Sequence, residues 1–102
     1  MEIGAKSTST LVVTEQLTAA VMGSGDLPVL ATPAMIALME NAAMKAVAAA
    51  LPDDQTTVGS LMNASHLKPT AVGDTVSATA TLVAIEGRKL TFRVEALDSE
   101  GT

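Results

Sequence analysis

The chain has 102 residues, a net charge of −5 and 48% hydrophobic residues, which suits one domain with a modest core and argues against disorder. The negative charge, with Phe92 as the only aromatic residue, disfavours nucleic acid as a partner, and the absence of cysteine excludes disulfides, a thiolate nucleophile and most zinc sites. A single histidine, His66, leaves no basis for a multi-histidine metal centre, and no metal is expected.

The N-terminal "EIGAKSTST" lacks the charged-then-apolar order of a signal peptide. Residues 6–14, "KSTSTLVVT", have the threonine and valine content of a first strand with weak alternation. "EQLTAAVM" reads as a short helix capped by Thr14, and "GSGD" as the loop that follows. Thr32-Pro33 then makes a good helix start, with Thr32 as the cap and proline in the first turn. The helix is expected to run to about Leu51, where Pro52 and the acidic Asp53-Asp54 end it.

On a helical wheel Glu40 stands at 0°, Asn41 near 100° and Lys45 near 140°, and Ala, Met, Ile, Leu and Val fill the remaining arc. Such a helix needs wrapping on most sides, and its polar interruptions and high alanine content do not suit a membrane span. A protein in the cytoplasm, with no membrane partner, is the expectation.

Three runs of alternating character follow. In "TVGSLMNASHL", Val58, Met62, Ala64 and His66 share one face of a strand. In "DTVSATATLVAI", Val76, Ala78, Ala80 and Leu82 share a face opposite Thr75, Ser77, Thr79 and Thr81. In "RKLTFRVEAL", Leu90, Phe92, Val94 and Ala96 line up likewise, after a tight turn at Glu86-Gly87. The fold class is α+β: a curved antiparallel sheet around one long central helix.

Glu40 is the residue that calls for an explanation. A hydrated carboxylate at the helix rim accounts for it, and so does a general base, since an apolar setting moves a carboxylate toward useful basicity near neutral pH. Lys45 stands five residues away, the wrong spacing for an ion pair on the helix. His66 is explained equally by structure and by proton transfer. Thr32 is accounted for as a cap; its hydroxyl with the free amides of the helix start would also suit a developing oxyanion. Asn63-Ala64-Ser65 matches the glycosylation tripeptide by chance, and Asp53-Asp54 is a solvated helix end. Arg88-Lys89, with Lys68, reads as a solvated strand edge, or else as cations that meet the phosphates of a nucleotide tail.

"VLATPAMIALMENAAMKA", "TVGSLMNASHLKPTAVGDTVSATATLVAIEGRKLTFRVEALD" and the spacing between them resemble the hot-dog-fold acyl-CoA thioesterases, in particular the group similar to fluoroacetyl-CoA thioesterase. The resemblance covers nearly the whole chain after residue 10 and implies one hot-dog domain over residues 1–102. It carries a Thr, Glu and His onto Thr32, Glu40 and His66 as catalytic residues and matches Gly59 to a glycine that the acyl end of the substrate approaches closely; Asn63, within the matched run, and Arg88, among the cations above, are the further candidate substrate contacts. The implied reaction is hydrolysis of an acyl-CoA thioester without a cofactor, Glu40 acting as base or nucleophile. A homodimer with sites at its interface is the minimum implied assembly, with a tetramer as an extension of it. Two departures from the family stand out: "MGSGDLPVL" has no aromatic residue to form a lid over the acyl pocket, and the last strand of the fold is expected to lie outside the chain, which ends at "DSEGT". A non-catalytic acyl-CoA-binding module, a hot-dog hydratase or dehydratase, and a structural dimer without a ligand are the alternatives.

Overall fold

A computed structural model of the chain describes residues 1–66 and 68–99. The threonine-rich runs become strands β1 (Lys6–Val12), β2 (Thr75–Glu86) and β3 (Lys89–Leu97), and the apolar alanine-rich run becomes a long helix. A four-residue helix α1 (Ala19–Met22) precedes that helix, α2 (Thr32–Val47), which a 3-10 turn over Ala48–Ala50 extends. The strands form one antiparallel sheet in the order β1-β2-β3, and α2 lies across one face of it. Among the described residues no helix is long and apolar enough to cross a membrane.

The period-two pattern of β2 is realised directly. Val76, Ala78, Ala80 and Leu82 are buried, while the hydroxyl side chains face away from the helix. Ala78 and Ala80 on the sheet, and Ala31, Ala34 and Ala42 on and before the helix, are all within 5% of complete burial. Small residues on both sides let the helix backbone approach the sheet closely, and Met35, Leu38 and Met39 fill the volume that remains. On β3 the inward row of Leu90, Phe92, Val94 and Ala96 has the expected parity but is only half-buried. That strand lies at the margin of the sheet, where the helix covers less of it.

The hairpin closes one residue later than the Glu86-Gly87 turn expected. Glu86 pairs with Lys89, so Gly87 and Arg88 form the loop, and Gly87 has φ 62°, the positive value a two-residue hairpin needs at its first loop position. Between Leu82 and Ala84 the register shifts by a bulge at Val83, which bends β2 and adds to the curvature of the sheet.

Three local expectations are corrected. "EQLTAAVM" divides into a 3-10 turn over Glu15–Leu17 and α1, because Thr18 is extended and bridges Leu30; Thr18, not Thr14, caps α1, accepting from the Val21 amide at 3.4 Å. Ala31, not Thr32, is the N-cap of α2, and Thr32 is its first helical residue. The run over residues 57–67, read as a strand, joins no ladder over 57–66, and Leu67 lies outside the described residues. Alternation alone does not make a strand: the segment passes over the helix rather than along a sheet edge, so its backbone meets no neighbouring strand, and Val58 and Leu61 are each 86% exposed.

Candidate functional site

A residue at the first helical position has no cap to make, and this frees the side chain of Thr32. Its Oγ1 lies 2.8 Å from Nδ1 of His66, 34 positions along the chain. Pro33 contributes no amide, and the amides of Ala34 and Met35 already donate to the Ala31 carbonyl at 3.0 and 3.1 Å. The several free amides expected at the helix start therefore reduce to that of Thr32, as the one first-turn amide the Ala31 carbonyl does not engage. A carbonyl oxygen placed here would meet one hydroxyl, one amide and the positive end of a 16-residue helix.

Glu40 is exposed on the same helix. The polar neighbours on its helix are engaged elsewhere. Lys45 donates instead to the carbonyl of Thr8 on β1 at 3.3 Å, and Asn41 accepts from the Ser9 hydroxyl at 2.7 Å. These two bonds, one helical turn apart, hold the rotation of α2 about its axis and so set the direction in which Glu40 points. Composition hides them: a serine in a threonine-rich strand and an asparagine beside an apolar run signal nothing until the helix is docked.

Gly59 lies against the carboxylate of Glu40. A β-carbon built on Gly59 would collide with Oε2, so it is the present position of the Glu40 carboxylate, and not an unusual φ, that glycine accommodates there. The segment from Gly59 to His66 thus runs antiparallel to α2, touching Glu40 at one end and Thr32 at the other. Asn63 is exposed between these two contacts. Eight helical positions separate Thr32 from Glu40, about 12 Å of rise. Within one chain the structure therefore makes two contacts, Thr32 with His66 and Glu40 with Gly59, side by side along the helix.

Beside His66 a cleft of about 190 Å³ opens between α2 and the sheet. Met35, Met39, Val76 and Val94 form its apolar wall, and His66, Lys68 and Glu95 its polar rim. Met62, expected on the same strand face as His66, is 41% exposed and lies outside this lining. The cleft has room for a small group between its apolar wall and its polar rim. Arg88 is not part of this arrangement. It sits in the β2–β3 loop, six residues from the cleft-lining Val94, roughly 20 Å along an extended strand. Among the described residues no group of three acidic or histidine side chains could hold a metal ion.

Comparison with known proteins gives this geometry a context. The family model described as fluoroacetyl-CoA-specific thioesterase matches residues 13–102. A fluoroacetyl-CoA thioesterase of Streptantibioticus cattleyicolor is 40% identical over 70 residues, 69% of this chain and 50% of that protein, so the matched stretch spans half the length of this relative. Among solved structures, a phenylalanine-to-alanine variant of the fluoroacetyl-CoA-specific thioesterase in complex with fluoroacetate and CoA superposes with a TM-score of 0.91 at 32% identity, covering 99% of this chain and 86% of that one. A hot-dog-like protein from Thermanaerovibrio acidaminovorans superposes with a TM-score of 0.88 at 24% identity over 99% of this chain and 75% of that one, a likeness of fold alone. The helix on its curved antiparallel sheet is the hot-dog fold.

Proposed function

We propose that this chain, which belongs to the family of fluoroacetyl-CoA-specific thioesterases, hydrolyses a short acyl-CoA thioester to the free acid and coenzyme A. The observation that carries this reading is the 2.8 Å contact between Thr32 and His66, at the start of a helix and at the mouth of a cleft. The thioester carbonyl would accept from the Thr32 hydroxyl and amide while its acyl group enters the cleft between Met35 and Val94. Negative charge developing on the oxygen would then fall at the positive end of α2.

Within one chain about 12 Å of helix rise separates Thr32 from Glu40. The carboxylate that takes a proton from water as the water oxygen bonds to the carbonyl carbon, or that attacks this carbon to form an anhydride that water opens, would therefore be Glu40 of the second copy in the homodimer proposed below. In either course the carbon–sulfur bond breaks, and the departing thiolate receives a proton, for which His66 is the nearest described candidate at the Thr32 end. The related thioesterase has been solved with fluoroacetate and CoA and, as a threonine-to-serine variant, with acetyl-CoA, which supports a short acyl group here. We also propose a homodimer, with the segment from 56 to 66 at its seam: its exposed Val58 and Leu61 and its unladdered backbone suit a second copy of the chain.

Release of free thiol from a panel of acyl-CoA esters tests the reaction. With no cysteine in the 102 residues, a thiol-trapping dye reports only the product. Turnover confined to short acyl esters is the expected result. Thermal stabilisation by the same esters without thiol release would make the protein a binding module, and neither effect would end the acyl-CoA reading.

Gly59→Ala provides a finer test of the Glu40 contact. The new methyl group collides only with the far end of a flexible side chain, and φ at Gly59 is not positive, so stability should change by no more than about 0.5 kcal/mol. The carboxylate must move, and turnover should fall about tenfold or more. Unchanged turnover in a folded Gly59→Ala protein would show that the position of the Glu40 carboxylate does not matter.

A further inference from the structure

His66 must be aimed by something other than regular secondary structure, because residues 56–66 contain neither helix nor strand. One hydrogen bond to the exposed Thr32 is a weak anchor for an imidazole on such a segment. Two residues further on, the Lys68 ammonium lies 2.8 Å from Oδ2 of Asp98, just past the end of β3. Lys68 and His66 both line the cleft.

The two ends of this ion pair are not alike. The Asp98 side chain is 3% exposed and that of Lys68 43%. A carboxylate withdrawn from water to this extent depends on its counter-charge, whereas the lysine keeps part of its hydration and loses less by being held. The pair is therefore a tether with its fixed end in the sheet margin and its other end on the segment that carries His66. Two residues of backbone span at most about 7 Å, so fixing Lys68 confines the backbone of His66. On the far side, the Leu30 amide donates to Thr70 at 2.8 Å and Val29 bridges Ala71, holding the chain where it returns to the fold.

We infer that Lys68, held by the buried Asp98 carboxylate, is a positioning residue that keeps the His66 imidazole in register with Thr32. Only the effect on turnover rests on the thioesterase reading; the effect on the imidazole does not.

The single histidine makes the test direct, since its ring nitrogens give the only imidazole signals in a ¹⁵N spectrum of the protein. The spectrum is recorded at alkaline pH, where the nitrogen shifts of a neutral imidazole report its tautomer. In the wild type, Nδ1 and Nε2 should show the distinct shifts of one tautomer held by Thr32. In the double variant Lys68→Met with Asp98→Asn, which leaves no buried charge unpaired, the two shifts should move toward each other as the ring becomes free. Lys68→Arg should restore the wild-type pattern. On short acyl-CoA esters the double variant should lose about tenfold in kcat with KM changed less than about twofold. Should the double variant not fold, Asp98→Asn alone, which removes the buried charge and leaves the partly exposed lysine to its hydration, should move the shifts in the same direction. Unchanged nitrogen shifts in a folded variant would overturn the inference. A wild type that turns over no thioester would sink the hydrolase reading, while the nitrogen shifts would still decide this one.

Discussion

Glu40→Gln should lower thioester turnover about 100-fold or more while leaving melting temperature and acyl-CoA affinity close to wild type. The separation of effects follows from where the side chain sits. Glu40 is exposed, glutamine has the same shape and nearly the same helix propensity, and Lys45 is engaged with the Thr8 carbonyl, so no ion pair is lost. The amide fits beside Gly59 as the carboxylate does, but it can neither accept a proton from water nor form an anhydride. Thiol release and a thermal shift with the same ester, measured side by side, separate the cases. Turnover within a few-fold of wild type would return Glu40 to a hydrated residue at the helix rim. A fall in stability matching the fall in turnover would assign it a structural role instead.

Leu82→Ala should cost about 2–5 kcal/mol, a large share of the roughly 5–15 kcal/mol available to a domain of this kind. Leu82 is completely buried and is the largest of the fully buried side chains. Its surroundings have little freedom to collapse into the space: its amide donates to Ala5 and its carbonyl accepts from Gly4, both at 2.8 Å, and across the ladder it faces Phe92 just before the bulge. A melting temperature lower by about 10 °C or more, followed by circular dichroism, is the expected result. Leu82 does not line the cleft, so at a temperature where the variant is folded its turnover per folded molecule should match wild type. A shift below about 3 °C would show that the N-terminal residues and β2 close around the missing methyl groups.

Much of the architecture was legible because it is periodic. The alternation of Val76, Ala78, Ala80 and Leu82 against threonine and serine names the buried face of β2, and the apolar arc around Glu40 calls for a helix wrapped by a sheet. Thr32-Pro33 marked the helix start to within one residue. The candidate residues Thr32, Glu40 and His66 were visible one by one as chemical types, whereas Gly59 and their grouping in one site came from the resemblance to the hot-dog thioesterases. The logic of periodicity misled over residues 57–66, since period two describes which way side chains would point in a strand and does not supply the neighbouring strand.

Sequence by itself determined the α+β class, the buried faces of β2 and α2, and the chemistry available to the site, because these depend on local conformation and on side-chain type. Only the tertiary structure decided how that chemistry is arranged. It turned Thr32 from a cap into the partner of His66, set Glu40 against Gly59, placed Arg88 at the far end of the hairpin and paired Lys68 with a buried Asp98. Each of these depends on groups brought together across tens of residues, and it is the docking of the helix on the sheet, through burial that is blind to sequence distance, that chooses which of them meet.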